Sequence, residues 1–428
     1  MKKITIIGSG YVGLVSGICF AELGHKVTLV DNNNEKIREL KKFRIPIYEP
    51  GLKELLLKNK SRVSFTNSIK EGIRASEIIF IAVATPPKED GSADLSSVEN
   101  VAKEIAASMD SYRLIVEKST VPVETGDWVK ITIGRHMSKK IPFDVASNPE
   151  FLREGTAIED FLAPDRIVIG VETQRAEKLL KEIYSKIKAP IIVTDIKSAE
   201  LIKHASNSYL AVKISFINAV ANICEKVGAD VLKVAAGMGY DKRIGKDFLS
   251  AGAGFGGSCF PKDLDAFYWI SKKLGYNFEL LHEVKKINRS QKEVIVKKIE
   301  DVLWILKDKT IAVLGLSFKP NTDDMRMAPS IEIIESLVSK GARIRAYDPQ
   351  GMEKSKEIMP YVTYCKDAYE TIKGAECILL MTEWDEFKGL DFKKVKKLVK
   401  QPILVDARNL YHDKDLNKLG FIYKGVGR

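Results

Sequence analysis

The chain has 428 residues, 45% of them hydrophobic and 29% charged, with a formal net charge of +11; that is the balance of a soluble protein of two or three domains with sizeable cores, and it excludes a disordered or fibrous chain. The lysines are spread along the chain, often beside glutamates, with no arginine-rich tail and no zinc-finger spacing, so the excess charge reads as solvated surface rather than a nucleic-acid interface. Five scattered cysteines, an odd number, argue against a disulfide framework and suit a reducing, cytoplasmic compartment. The five histidines form no metal motif, and no apolar run is long enough to span a membrane.

The opening run Ile4–Ile7 predicts a strand rather than a targeting segment, because Gly8 breaks it at once. Gly8-Ser9-Gly10-Tyr11-Val12-Gly13 follows, then an apolar helical pattern to Leu23, then a second strand over Lys26–Val30 that ends at Asp31. Strand, GxGxxG turn, helix, strand and acid in this order predict a dinucleotide site. Gly8 makes the turn, Gly10 lets the backbone approach a pyrophosphate, and Gly13 lets helix and strand pack closely; Asp31 accepts from an adenosine ribose. A carboxylate there favours NAD over NADP.

Polar helical pattern resumes at Asn33, with Lys36 in its first turn, and is interrupted by Ile45–Gly51. Further strands are predicted at Glu77–Val83, Leu114–Glu117, Asp144–Ala146, Arg166–Gly170 and Ile191–Val193, with a helix over Leu95–Met109. Thr85 and Thr120 fall just past strand C-termini, where such sheets bind cofactors; capping the next helix is an equal alternative for Thr120. A first domain over residues 1–196 follows.

Residues 197–305 read as mainly helical. Ser198–Val227 is the longest stretch, and Lys203 and Asn207 share one face of it, four residues apart. A lysine among apolar residues is often only snorkelling. Long helices without a complete domain of their own predict a linker and a homodimer surface. Within this third lies Gly252–Asp263, GAGFGGSCFPKD, where closely spaced glycines surround Cys259, with Lys262 and Asp263 just beyond. The segment reads either as a tight turn with a buried cysteine or as a thiol nucleophile beside a cation.

At Thr310–Leu314 the opening pattern returns, ending in Gly315, and Gly341–Asp348 repeats the spacing of Gly24–Asp31. The turn of this second α/β unit, residues 306–428, reads GLSFKPNTDDMR, with cations where glycines would stand, which suits a phosphate-bearing substrate better than a second dinucleotide.

Taken together, Gly8–Gly13, Ser119–Pro122, Asn148–Glu154, Lys203 with Asn207, Gly252–Asp263, Gly315–Arg326 and Asp406–Arg408 resemble, over nearly the whole length, the UDP-glucose/GDP-mannose dehydrogenase family. The resemblance implies two Rossmann-like α/β domains joined by a helical dimerisation segment. It also implies a four-electron, NAD-dependent oxidation of a nucleotide sugar at C6. Within the family, IPIYEPGL, DGSADLSSV and FGGSCFPKD point to UDP-glucose. GDP-mannose, UDP-N-acetylglucosamine or UDP-galactose, or a non-catalytic nucleotide sensor on the same scaffold, are the alternatives.

By the same resemblance Cys259 is the nucleophile, Lys203 and Asn207 stabilise oxyanions, Thr120 and Asp263 hold a catalytic water, and Glu154 is a general base for water or the thiohemiacetal. Gly8, Gly10, Tyr11, Val12, Gly13, Asp31, Lys36, Thr85, Thr120, Glu154, Lys262 and Arg326 face the cofactor. Glu150, Phe151, Leu152, Arg153, Lys203, Asn207, Phe248, Gly256, Lys319 and Arg408 face the nucleotide sugar, with ordinary core as the alternative for Phe248. Arg243 reaches the neighbouring subunit's site. The family pattern is departed from at Ala84-Thr85-Pro86-Pro87 and at Val123-Glu124-Thr125-Gly126, where an acid stands in place of a small residue.

Overall fold

Short runs rich in Ile, Val and Leu, buried on both faces, are what a parallel sheet covered by helices demands, and they build two separate sheets. The computed structural model describes residues 1–412 and 414–428. The first sheet holds β1 (Lys3–Ile7), β2 (Lys26–Val30), β3 (Val63–Thr66), β4 (Ile78–Ile81), β5 (Arg113–Glu117), β6 (Phe143–Ser147), β7 (Ile167–Gly170) and β8 (Ile191–Thr194), in the order β3-β2-β1-β4-β5-β6-β7-β8. All its pairings are parallel except β6 with β7. Apolar cores cover both faces: one around Leu14, Phe20 and Phe80, the other around Ile79, Ile105 and Ile115. Strand order reverses between β1 and β4, the place where open α/β sheets hold ligands.

The second sheet holds β9 (Thr310–Leu314), β10 (Arg343–Tyr347), β11 (Thr363–Tyr364), β12 (Cys377–Leu380), β13 (Ile403–Asp406) and β14 (Ile422–Lys424), in the order β11-β10-β9-β12-β13-β14. It is parallel throughout and again reverses beside its first strand. Two α/β Rossmann-like units linked by helices is therefore the fold. Strands β3, β11 and β14, and the helix Val231–Gly239, carry too few patterned residues to be picked out in the sequence.

The chain divides into two compact units, residues 1–206 with 265–276 and residues 207–264 with 277–428. The helices Ile196–Val227 and Phe260–Lys273 each contribute residues to both. None of the five cysteines is in a disulfide. No helix among the described residues is long and apolar enough to cross a membrane.

Candidate active site

In the first unit the glycine turn does what its spacing asks. Gly8 has φ +102°, and a Cβ there would sit 2.5 Å from the Ala82 carbonyl oxygen; a Cβ on Gly13 would meet the Gly8 carbonyl oxygen at 1.8 Å. Around Gly10 there is open space, with no atom within 4 Å of a built Cβ. The turn therefore leaves room for a pyrophosphate where the helix Tyr11–Glu22 presents its first N–H groups. Asp31 Oδ2 accepts from the Ser9 N–H, the Ser9 hydroxyl and Lys36 Nζ, at 3.0, 2.7 and 2.8 Å, whereas Oδ1 accepts from the Asn33 N–H. Burial pushes this carboxyl up, but Lys36 and Ser9 outweigh it and hold the group below the usual carboxylate range. It is thus an anion with acceptor capacity to spare on Oδ1, and a nicotinamide dinucleotide fits this cradle.

Asp348, at the same spacing in the second unit, is different. It is fully buried. Its two oxygens accept from the N–H groups of Leu316, Ser317, Gln350 and Gly351 and from the Trp384 indole. Five donors leave it nothing for a ribose. The repeated Gly-to-Asp spacing is shared architecture, not a second dinucleotide site.

Past β4 and β5, Thr85 Oγ1 donates to the Thr120 carbonyl at 2.9 Å, and Ser119 donates to the Val83 carbonyl at 2.6 Å. Thr120 does not cap a helix: the next helix starts at Thr125 with Glu124 before it. Past β6, Glu150 and Lys203 form a buried ion pair at 2.9 Å, and Glu150 also accepts from the Leu152 N–H at 2.6 Å. Lys203 is therefore not snorkelling. Its ammonium also lies 5.3 Å from the Phe151 ring centre, with Arg166 3.7 Å from the same ring. Lys118, which the sequence did not single out, is buried with its Nζ on Asn148 Oδ1 at 3.1 Å. Burial pulls this lysine down to about 8, against the pull of Glu150.

The half-buried Glu154 precedes Gly155, whose N–H reaches Glu49 at 2.6 Å; Glu49 also accepts from the Ala157 N–H and from the Tyr11 hydroxyl. Glu49 thus ties the glycine turn to the loop carrying Glu154, and it also lines a 490 Å³ surface cleft with Gly51, Leu55 and Gly155. Arg153 is turned outward onto Asp160, at 2.6 Å.

In the second unit Cys259 is exposed, and its carbonyl accepts the first helical hydrogen bond, from the Asp263 N–H at 2.9 Å. It stands immediately before the helix Phe260–Lys273, at the positive end of the helix dipole. This rules out a buried, packing cysteine. Asp263 is buried and accepts from Asn207 Nδ2 and from Lys262 Nζ, both at 2.6 Å. Lys262 is thus held by Asp263.

The glycine segment is pinned from two long helices: Asn218 accepts from the Gly252 N–H at 2.8 Å, Gln291 donates to the Gly252 carbonyl at 3.0 Å, and Asn288 bonds both backbone groups of Phe255. Gly256 lies so close to the Met327 carbonyl that a Cβ would sit 2.3 Å from it. Arg408 spreads its guanidinium over the carbonyls of Met381, Phe318 and Gly254, at 2.8, 3.1 and 3.4 Å. Lys319 Nζ stands 5.5 Å from the Phe318 ring centre, and Arg326 is bound to Asp324 at 2.7 Å. Phe248 is half-buried with φ +62° and lies 6.1 Å from the Phe260 ring. Arg243 is 90% exposed and pairs with Asp241.

Models of three segments of one family match the chain: the UDP-glucose/GDP-mannose dehydrogenase family's NAD binding domain over residues 2–188, its central domain over 197–290 and its UDP binding domain over 312–413. The chain is 49% identical to the UDP-glucose 6-dehydrogenase TuaD of Bacillus subtilis (strain 168), covering 100% of this chain and 94% of that one. It is 46% identical to the UDP-glucose 6-dehydrogenase of Rhizobium meliloti (strain 1021), over 100% and 99%. Among solved structures, the fold is similar to a UDP-glucose dehydrogenase of Pyrobaculum islandicum, with TM-score 0.93, 39% identity and coverage of 100% and 98%. A UDP-D-ManNAc dehydrogenase of Pyrococcus horikoshii matches with TM-score 0.86, 26% identity and coverage of 100% and 99%.

Proposed function

The chain belongs to the UDP-glucose/GDP-mannose dehydrogenase family of NAD-dependent nucleotide-sugar dehydrogenases, and we propose that it oxidises the C6 alcohol of UDP-glucose to the carboxylate through covalent intermediates on Cys259. The observation that carries this reading is the placement of Cys259, exposed at a helix N-terminus with the buried Asn207–Asp263–Lys262 cluster one turn inside. The choice of UDP-glucose is supported by identities of 49% and 39% to proteins named for that substrate, against 26% to the UDP-D-ManNAc dehydrogenase.

NAD, when bound, accepts a hydride from C6 in each of two oxidations. The Gly8–Gly13 turn holds its pyrophosphate and Asp31 its ribose. In the first oxidation a base takes the hydroxyl proton; Glu154, or Glu150 paired with Lys203, is in the loop that supplies it. The Cys259 sulfur then adds to the aldehyde carbon, forming a thiohemiacetal that keeps the intermediate from escaping. Loss of the second hydride leaves a thioester, and water, held by Thr120 and Asp263, attacks it to release the acid and the thiol. Lys203 and Asn207, one turn apart on the helix Ile196–Val227, supply donors to the oxyanion at each tetrahedral stage. Lys319 and Arg408 add the positive charge the sugar's diphosphate needs, and Arg326 stands on the cofactor side.

The same long helix exposes Tyr209, Phe216 and Ile223 at heptad spacing, an apolar stripe suited to a second copy of the chain. A homodimer mass by light scattering at micromolar concentration supports that reading, and a monomer mass contradicts it.

Substrate choice is tested with a panel of nucleotide sugars assayed for NADH formation. UDP-glucose should exceed GDP-mannose, UDP-N-acetylglucosamine and UDP-galactose by about tenfold or more in kcat/KM, the margin of one well-made hydrogen bond, with two NADH formed per sugar. Higher efficiency with another sugar overturns the assignment.

A further inference from the structure

We propose that Glu200, together with Glu117 and His204, is a positioning device for the loop that carries Thr120, and that one proton shared by the Glu117 and Glu200 carboxyls keeps it closed. The inference rests on the reading of Thr120 as a water-holding residue.

After β5 the chain runs without regular structure from Lys118 to Glu124 before the helix Thr125–His136 begins. Two buried residues one turn apart on the helix Ile196–Val227 grip it. Glu200 Oε2 accepts from the Glu124 N–H and Oε1 from the Gly126 N–H, both at 2.8 Å. His204 Nε2 lies 2.8 Å from the Val121 carbonyl, to which it must donate. The upstream end is held by Thr85 on the Thr120 carbonyl. Thr120 thus sits in a short span fixed at both sides, and the downstream half is fixed by carboxylate and imidazole rather than by secondary structure.

Glu117, the last residue of β5, is buried beside Glu200. No donor among the described residues reaches either of its oxygens in the charged form. Its oxygen and that of Glu200 converge beside Gly126: a Cβ there would sit 3.4 Å from Glu117 Oε2 and 3.5 Å from Glu200 Oε1. The two side chains share a hydrogen bond out of water, so near neutral pH they are not both charged. Because Glu200 already accepts two backbone N–H groups, it is the ionised member, and Glu117 carries the proton and donates it to Glu200. Burial, then Glu200's charge, drives the Glu117 carboxyl well upward; burial also raises Glu200, against the pull of the two N–H groups. The other charges near the pair are Asp127, on the helix that the loop enters, and Lys197, on the helix of Glu200; Lys197 is half exposed, held by Asp127 at 3.0 Å and 3.9 Å from the exposed Glu124 carboxylate. Lys197 feels the charge of Glu200 from a distance, but among the described residues no cation forms an ion pair with Glu117 or Glu200 to neutralise a doubly ionised pair. When alkali removes the shared proton to solvent, repulsion between the two carboxylates opens the grip and Thr120 loses its position.

Glu117→Gln, in the full-length protein, keeps the shape and donates to Glu200 at every pH. Glu200→Gln sets an amide against one of the two backbone N–H groups. Hydrogen exchange of the amides in 121–126, corrected for base-catalysed intrinsic exchange, reads the grip without reference to turnover. Wild-type protection there should fall as pH rises from neutral to about 9.5 while Glu117→Gln stays protected. With UDP-glucose and NAD, Glu200→Gln should lose kcat by up to about a hundredfold, the scale of a small misplacement of a reacting group, with KM little changed. The kcat ratio of Glu117→Gln to wild type should rise with pH. Identical exchange in wild type and Glu117→Gln at every pH overturns the inference, whether or not Glu200→Gln folds. The exchange difference without any change in kcat supports the grip and removes Thr120 from the reaction instead.

Discussion

Asp31 and Asp348 stand at the same distance from a glycine in two copies of one motif, and only their surroundings separate them. Asp31 keeps one oxygen lightly used; all five of the hydrogen bonds on Asp348 are spent inside the fold. Cofactor choice belongs to this scale. A 2′-phosphate brought to Asp31 meets a like charge, worth about 4 kcal/mol at contact distance near a protein surface before screening, and takes away the ribose hydroxyl that Asp31 would bind. NAD should therefore exceed NADP in kcat/KM by about a hundredfold or more, and Asp31→Asn, which also releases Lys36, should narrow that gap. Equal efficiency of the wild type with both cofactors contradicts the assignment. Asp31 and the three glycines were legible because the motif is local. Glu49, Lys118, Glu117 and Glu200 were not, because each acts through partners that only the fold brings near, such as Gly155, 106 positions from Glu49.

Among elements, the loop between β5 and the helix Thr125–His136 is where sequence reading stopped short. The acid at Glu124 stood out as a departure from the family pattern, but not its conformation: Glu124 has φ +78°, in the left-handed region that favours glycine, and it offers its N–H, not its carboxylate, to Glu200. Such a residue costs roughly 1–2 kcal/mol, partly offset by its charge near a helix N-terminus. Glu124→Gly should therefore raise unfolding free energy by about 0.5–1 kcal/mol while leaving the grip of Glu200 intact; a fall in stability by denaturant titration contradicts this account of the loop. The glycine segment shows the same limit. Its density of glycine announced close approach, and the positive φ of Gly254 and Gly257 and the crowding at Gly256 are what that density serves. That Asn218, Asn288 and Gln291 would hold it could not be seen, since polar residues on long helices look alike until one face meets a backbone.

For the whole molecule, the order of strands, glycine turns and helices was readable because each α/β unit repeats the same local program, and the strand runs Lys26–Val30 and Thr310–Leu314 coincide with β2 and β9. The short strands β3, β11 and β14 and the allotment of helix residues to the two compact units depend on packing and were out of reach. The chemistry proposed for the molecule depends on Cys259, whose place before the helix Phe260–Lys273 favours an anionic sulfur. A serine there is a far poorer nucleophile without an activating base, while the first hydride loss needs no thiol. The most direct test is steady-state NADH and product formation by Cys259→Ser with UDP-glucose, with intact mass spectrometry for a trapped adduct: turnover to UDP-glucuronate should collapse while some aldehyde still forms, and wild-type production of the acid by this variant would contradict cysteine catalysis.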